Sequence, residues 1–171
     1  GHEEVGARMA RTILERLRAD NRLTGRVSRI VALHMRANGY ESSWTDGAVR
    51  RFIREADEEL DNLIALSRAD ITSYRPQRVE TGLARVAELR ARCDSIMAEQ
   101  DVTALDSPLD GNALMDLFNR PPGPWIKPIK QHLLNLVLEG ELNPDDPDGA
   151  ARIARELVER ESNTPAAPAE A

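Results

Sequence analysis

The stretch "RVETGLARVAELRARCDSIMAEQ", residues 78–100, is the longest helical pattern in the sequence. Its apolar residues recur at steps of three and four, which places them along one narrow seam suited to packing against another helix. The seam consists of Val79, Leu83, Val86, Leu89, Cys93, Ile96 and Met97. Gly82 lies inside this helix and costs up to about 1 kcal/mol relative to alanine. We therefore expect one long helix whose seam packs along another helix.

The segments on both sides of the long helix also have helical periodicity. Residues 3–18 form an amphipathic helix with one apolar stripe at four-residue spacing, Val5, Met9, Ile13 and Leu17. Further helices are predicted over about 22–37, from Thr45 or Asp46 onward, over 58 to about 70, within 107–118, from Pro124 or one residue later to Gly140, and over 149–160. We find no strand pattern, no internal repeat and no sustained heptad. The sequence therefore predicts an all-α helical bundle.

The composition is that of a globular protein, with 41% hydrophobic and 30% charged residues. No apolar run approaches the roughly 20 residues that span a bilayer, and the N-terminus lacks a secretory pattern. Cys93 is the single cysteine, so no internal disulfide can form. These features predict a cytoplasmic protein with no membrane partner.

The net charge of −6 argues against a nucleic-acid binder that is basic along its whole length, but a local basic cluster can still contact phosphate. Of the 23 basic residues, only Lys127 and Lys130 are lysines. The arginine preference fits either a GC-rich genome or recognition of phosphate by planar guanidinium groups. Both interpretations remain open.

The segment "PPGPWIKPIK", residues 121–130, predicts a rigid turn that leads into a helix, with Pro124 in the first turn. Unpaired backbone amides at a helix start attract anions. Lys127 and Lys130 lie three residues apart, hence on one face beside that start, and Arg120 precedes the turn. These three basic residues beside the helix start predict a phosphate-binding site, the phosphate seat. Alternatively, they are solvated charges around a turn that joins two packed helices. Two roles are open for Trp125, stacking on a base or ribose of a nucleic acid or packing as an anchor of the turn.

Residues 106–142, "DSPLDGNALMDLFNRPPGPWIKPIKQHLLNLVLEGEL", resemble the C-terminal RNA-binding region of bacterial tRNA nucleotidyltransferases, the CCA-adding enzymes and their poly(A) polymerase relatives. That family has a similar passage with Gly-x-x-Leu-Met and Pro-Gly-Pro. The segments "GHEEVGARMA" and "RVSRIVALHMR" resemble the second half of the HD-type domain that many of these enzymes carry. The resemblance covers roughly residues 1–160.

HD-type domains are metal-dependent phosphohydrolase folds, and the resemblance implies a divalent metal site (Mg²⁺ or Mn²⁺). By matched position its ligands are His2, His34 and Asp70. The adjacent His-Asp pair of the family would lie upstream of Gly1, and no His-Asp dipeptide occurs in the sequence. We therefore expect no stable metal binding here. Alternatively, His34 is a hydrogen-bonded histidine and Asp70 a solvated carboxylate.

The sequence has no Gly-rich strand and loop followed by Asp-x-Asp, which the nucleotidyltransferase head would supply for magnesium and nucleotide. We expect the chain to be the C-terminal part of such an enzyme, from a split gene, a truncated gene or an excised piece. It then has no catalytic residues of its own and is expected to lack activity alone. Its partners would be the head domain and tRNA or another structured RNA.

The resemblance implies that the helices grip the tRNA away from its 3′ end. Double-stranded RNA is contacted mainly through phosphates and 2′-hydroxyls, which suits basic side chains. The candidate RNA-binding residues are Arg75, Arg78, Arg85, Arg92, Arg120, Lys127 and Lys130. Alternatively, the arginines of the long helix form a mixed charged surface with the carboxylates between them.

We expect three regions: a truncated HD-like helical region at 1–74, a helical arm with a small C-terminal RNA-binding lobe at 75–161, and a disordered tail at 162–171. Two other functions remain open. One is an HD-type metal-dependent phosphohydrolase, which predicts a bound divalent ion. The other is a helical protein-interaction module, which the long seam and the acidic net charge would suit.

Overall fold

The structure, a computed structural model, describes residues 1–163, with backbone alone for 161–163. These residues form helices and no strand, which confirms the all-α fold. The α-helices are α1 (His2–Arg16), α2 (Asn21–Asn38), α3 (Asp46–Ala56), α4 (Leu60–Asp70), α5 (Pro76–Glu99), α6 (Gly111–Phe118), α7 (Ile126–Glu139) and α8 (Pro147–Asn163), with a 3-10 turn at Asp57–Glu59. The tail predicted at 162–171 lies outside the described residues, except that Ser162 and Asn163 continue α8.

Several helices begin where a short polar side chain caps them. Asp20, Thr45 and Asp110 each accept a hydrogen bond from the backbone amide three residues further on, at 2.7, 3.1 and 2.8 Å. These bonds satisfy amides that have no partner within the helix. Gly140 ends α7 with φ of +80°, a left-handed conformation that glycine adopts without strain. The sequence predicted a start at Thr45 or Asp46 and an end at Gly140; the structure shows Thr45 as the cap and confirms the end at Gly140.

The chain divides into two compact units, one from Gly1 to Thr103 and one from Ala104 onward. The first unit contains α1 to α5. The seam of α5 is buried at Val86, Leu89, Cys93 and Ile96, and α5 packs against α2, α3 and α4. The long helix therefore belongs with the N-terminal helices. The sequence predicted a boundary between two regions near residue 74, before the long helix. The pattern of a helix does not show which neighbouring helices its apolar seam contacts.

Helix α1 packs against α2 with the side that carries Gly6, Ala10 and Leu14, which adjoins one edge of its four-residue apolar stripe. Gly6 lies on the packed face, where an added Cβ would be 3.2 Å from the Val31 side chain. The stripe itself is exposed, to 46%, 59%, 49% and 72% at Val5, Met9, Ile13 and Leu17. The partly buried side of α1, with Leu14 and several small residues, thus faces α2, while the stripe stays largely exposed.

The second unit has its own hydrophobic core, formed by α6, α7, α8 and the segments between them. Its buried members are Leu109, Leu114, Ile129, Leu133, Val137, Leu142, Ala150 and Ala154. Trp125 and Phe118 pack against this core from the turn between α6 and α7. The core therefore fixes the position of the turn that carries the predicted phosphate seat.

Within the described part of the chain, no helix combines the length and the apolar composition needed to cross a bilayer.

Candidate nucleic-acid interface

The turn between α6 and α7 is held by Trp125. Asn119 ends α6 in the left-handed conformation, with φ of +47°. The indole Nε1 of Trp125 donates a hydrogen bond to the carbonyl of Pro121 at 3.0 Å, and its ring meets Phe118 edge-on with centroids 5.9 Å apart. A Cβ at Gly123 would lie 2.9 Å from the Trp125 ring, so glycine allows this close approach. In the structure, Trp125 has the role of a packing anchor.

Helix α7 begins at Ile126, with Trp125 at the N-cap, two residues later than the earliest predicted start at Pro124. The amide of Ile126 donates to the carbonyl of Gly123 at 3.2 Å, and Pro128 in the first turn has no N–H. A helix start normally offers four unpaired amides to an anion. The seat at α7 offers fewer, so its attraction for phosphate depends mainly on side-chain charge.

Lys127 and Lys130 line an open groove of about 380 Å³. Its other lining residues are Asp106, Gly123, Ile126, Gln131 and Leu134. The Lys130 Nζ lies 3.8 Å from Asp106 Oδ2, an ion pair in which both side chains are partly exposed. Lys127 is exposed and has no ion-pair partner among the described residues. The groove therefore presents one unpaired and one weakly paired ammonium group.

Arg120 lies over the face of Trp125, with its guanidinium carbon 4.9 Å from the ring centroid. This is a cation–π contact, which orients the guanidinium without using its N–H donors. Arg120 is exposed, so the donors remain available to a ligand. The predicted cluster of Arg120, Lys127 and Lys130 is thus built around a single turn of the second unit.

In the first unit, three of the predicted arginines lie exposed at and near the start of α5. Arg75, Arg78 and Arg85 form no ion pair with any described residue. Arg78 and Arg85 line a shallow groove of about 400 Å³ together with Gln77, Thr81 and Gly82. The two arginines are two helical turns apart, about 10 Å along the axis. They form a second unpaired basic surface.

Arg92, the fourth predicted arginine of α5, is occupied by contacts within the first unit. Its Nη1 donates to the carbonyl of Trp44 at 2.9 Å and to the Tyr40 hydroxyl at 3.3 Å, and its Nη2 donates to Asp46 Oδ1 at 2.6 Å. One turn earlier, Glu88 accepts the Tyr40 hydroxyl at 2.9 Å. Arg92 therefore joins α5 to the loop before α3, and we leave it out of the interface.

Two of the three predicted metal ligands, His2 and His34, lie close together in the structure. The His2 and His34 rings meet edge-on with centroids 5.9 Å apart. His34 Nδ1 lies 2.6 Å from the carbonyl oxygen of Val31, and Asp70 accepts a hydrogen bond from Asn38 at 3.2 Å.

Among the described residues no three His, Cys, Asp or Glu side chains form a group that could hold a metal ion. As they stand, therefore, these residues do not fit a complete metal site.

One comparison with known proteins supports the resemblance to tRNA nucleotidyltransferases. The chain is 30% identical over 162 residues to the A-adding tRNA nucleotidyltransferase of Deinococcus radiodurans. The match takes in 94% of this chain and 35% of that enzyme, so the chain spans about a third of the length of its relative. No protein-family model matches the sequence, and no solved structure matches it. Nearly the whole chain is therefore similar to one part of a tRNA nucleotidyltransferase.

Proposed function

We propose that this chain is the tRNA-binding helical portion of a tRNA nucleotidyltransferase-like enzyme that acts in tRNA 3′-end processing. The observation that carries the proposal is the 30% identity to an A-adding tRNA nucleotidyltransferase across 94% of the chain. Addition of nucleotides needs a head that holds the nucleotide, which these 171 residues do not resemble. The role of the chain is then to hold the RNA.

The basic residues that the fold leaves unpaired support this role. In the second unit they are grouped on the turn at Arg120 and on α7 at Lys127, with Lys130 beside them. From residue 104 to the end of the chain, six basic residues are outnumbered by twelve acidic ones. RNA contact on this unit therefore has to be local, because the surrounding carboxylates repel the phosphate backbone.

The proposal is tested by measuring the affinity of the chain for labelled tRNA at several salt concentrations. Lys127→Gln with Lys130→Gln removes two candidate phosphate contacts. We expect weaker binding. The slope of the logarithm of the affinity against the logarithm of the salt concentration should become shallower by about one per lost phosphate contact.

A matched control is Arg152→Gln with Arg155→Gln. These two arginines are exposed on α8 in the same unit, so the control changes the net charge equally without touching the seat. Equal loss of tRNA affinity in both double variants would show that the seat is not a specific contact. Wild-type affinity of the lysine double variant would contradict its role altogether.

His2, His34 and Asp70 remain the candidate ligands of a divalent ion, and without the adjacent His-Asp pair we expect no stable binding there. The His2 and His34 rings lie close together, but they do not form a complete ligand set with Asp70. Titration with Mn²⁺, followed by electron paramagnetic resonance, tests this expectation. The absence of saturable binding would support it; one ion bound per chain, and lost in His34→Ala, would contradict it.

A further inference from the structure

A groove of about 390 Å³ lies in the first unit between α1 and α2, and its lining includes no residue of the proposed tRNA interface. Its volume falls within the range of small-ligand sites. Small residues and arginines dominate its lining, which consists of Ala7, Arg8, Arg11, Gly25, Ser28, Arg29 and Ala32. Three arginines around one groove are a high density of positive charge in an acidic protein.

The positive charge is a regional feature of the sequence. Residues 1–40 contain eight arginines and four carboxylates, a net charge of +4 in a chain whose total is −6. Arg8 and Arg11 are exposed, and neither forms an ion pair with a described residue. Glu4 and Glu15 lie one turn from them on α1 but make no ion pair with them. Their guanidinium groups are therefore available to an anion.

Arg29 is the third arginine of the groove and is already paired once. Its Nη1 donates to Asp57 Oδ2 at 2.8 Å, and both side chains are about half exposed. A guanidinium has five N–H donors, so this single bond leaves several of them unused. Asp57 reduces the local positive charge but does not occupy the donors of Arg8 or Arg11.

The lining also contains a buried hydroxyl. Ser28 is 7% exposed, and its Oγ has no hydrogen-bond partner among the described residues. Buried hydroxyl groups in folded proteins nearly always have one. The Oγ itself is sealed from solvent, so a rotation of the Ser28 side chain would be needed to bring its unused donor to an anion in the groove.

Gly25 opens the groove toward the backbone of α2. No atom lies within 4 Å of the position that a Cβ would take there, so the space in front of this helical glycine is empty. Glycine inside a helix is unfavourable relative to alanine. A ligand that needs close approach to the helix would benefit from this position.

We propose that the α1–α2 groove binds a phosphoryl group through Arg8, Arg11 and Arg29. Planar guanidinium groups bind phosphate oxygens with paired, charge-assisted hydrogen bonds. The phosphoryl group comes either from a free phosphate or nucleotide or from an RNA strand. The inference does not depend on the proposed function, since none of these residues belongs to the tRNA interface.

The test measures binding of inorganic phosphate and of adenosine monophosphate to the full chain by ³¹P NMR titration. Arg8→Gln with Arg11→Gln removes the two unpaired guanidinium groups, and we expect the dissociation constant to rise about tenfold or more. The matched control is Arg16→Gln with Arg18→Gln, which changes the net charge equally beside the same helix but outside the groove. Circular dichroism confirms that both variants remain helical.

Gly25→Leu blocks the groove while keeping every arginine. Leucine favours a helix over glycine, so this variant retains its fold. We expect it to lose phosphate binding. Wild-type affinity in Gly25→Leu, or equal losses in the two arginine double variants, would overturn the assignment.

A short RNA duplex, titrated in parallel, separates the two sources of the phosphoryl group. Saturable binding of the small ligands that falls in Arg8→Gln with Arg11→Gln identifies a phosphate or nucleotide site. Duplex binding that falls in this variant, without saturation by the small ligands, identifies a contact to a strand. The proposal is refuted if none of the three ligands shows binding that depends on Arg8 and Arg11.

Discussion

Glu59 shows how one buried charge connects helices of the first unit. The side chain is 2% exposed, and Arg26 donates to both of its carboxylate oxygens, with Nη2 at 3.3 Å from Oε2. Asn62 donates to Oε2 at 2.8 Å. These bonds hold the pKa of Glu59 below its ordinary value, with the bond from Arg26 as the largest cause. A buried carboxylate is stable only when it is paired in this way.

The lowered pKa of Glu59 gives the stability of the protein an acid dependence. The stabilisation is present above the pKa of an unfolded glutamate, about 4.3, and is lost as the pH falls through the lower pKa of the folded state. We expect Glu59→Gln to be less stable than wild type at pH 7 and to lose less stability on acidification. Urea unfolding at pH 7, 5 and 3 measures both effects. Parallel pH profiles would contradict the role of the carboxylate.

Arg92 offers a second test at the level of one residue. Because its guanidinium donates to the Trp44 carbonyl and to Asp46, we expect Arg92→Ala to destabilise the first unit by about 1–3 kcal/mol. The same change should leave tRNA affinity unaltered. Urea unfolding and tRNA titration give the two values. If Arg92→Ala binds tRNA more weakly but unfolds at the same urea concentration as wild type, Arg92 belongs to the RNA interface.

The sequence could not distinguish Arg92 from the other arginines of the long helix. Arg78, Arg85 and Arg92 are seven residues apart and lie near one helical face, so periodicity treats them alike. What separates them is a contact over 48 residues, from Arg92 to the carbonyl of Trp44. Such long-range pairing is set by tertiary packing. The prediction of Lys127 and Lys130 rests instead on a local signal, a turn followed by a helix start.

At the scale of elements, the sequence predicted the helices well because their ends are encoded locally. Caps such as Thr45 and stops such as Gly140 fix boundaries within a few residues. The orientation of α1 was not encoded in this way. Its apolar residues, from Val5 round to Leu14, cover about 180° of the helix circumference at about 100° per residue. Periodicity alone does not determine which half of so wide a surface packs, and the half that packs against α2 is the one that contains Ala10 and Leu14, which are partly buried.

The exposed stripe of α1 predicts an unusual tolerance. Met9 and Ile13 are about half exposed, so Met9→Gln with Ile13→Gln should change the free energy of unfolding by no more than about 1 kcal/mol. Leu89→Ala on the buried seam of α5 should cost about 2–5 kcal/mol, because it leaves a cavity. Urea unfolding of both variants measures the contrast. A large loss in the α1 variant would show that this stripe is covered in solution.

For the whole molecule, the two units differ in charge as well as in core. Each unit also contains one tryptophan. Trp44 packs edge-on against Tyr40 and Phe52 in the first unit, with centroids 5.5 and 6.1 Å away. Trp125 is fixed to the core of the second unit. Trp44→Phe and Trp125→Phe therefore yield proteins whose fluorescence reports one unit each.

Leu133→Ala, introduced into both single-tryptophan proteins, tests whether the two cores are energetically separate. Leu133 is fully buried among residues of the second unit, so its truncation should cost that unit about 2–5 kcal/mol. We expect the urea midpoint reported by Trp125 to fall and that reported by Trp44 to stay. Leu63→Ala, fully buried in the first unit, should have the opposite effect. If either substitution lowers both midpoints equally, the molecule unfolds as one cooperative body, because independent cores would each keep their own transition.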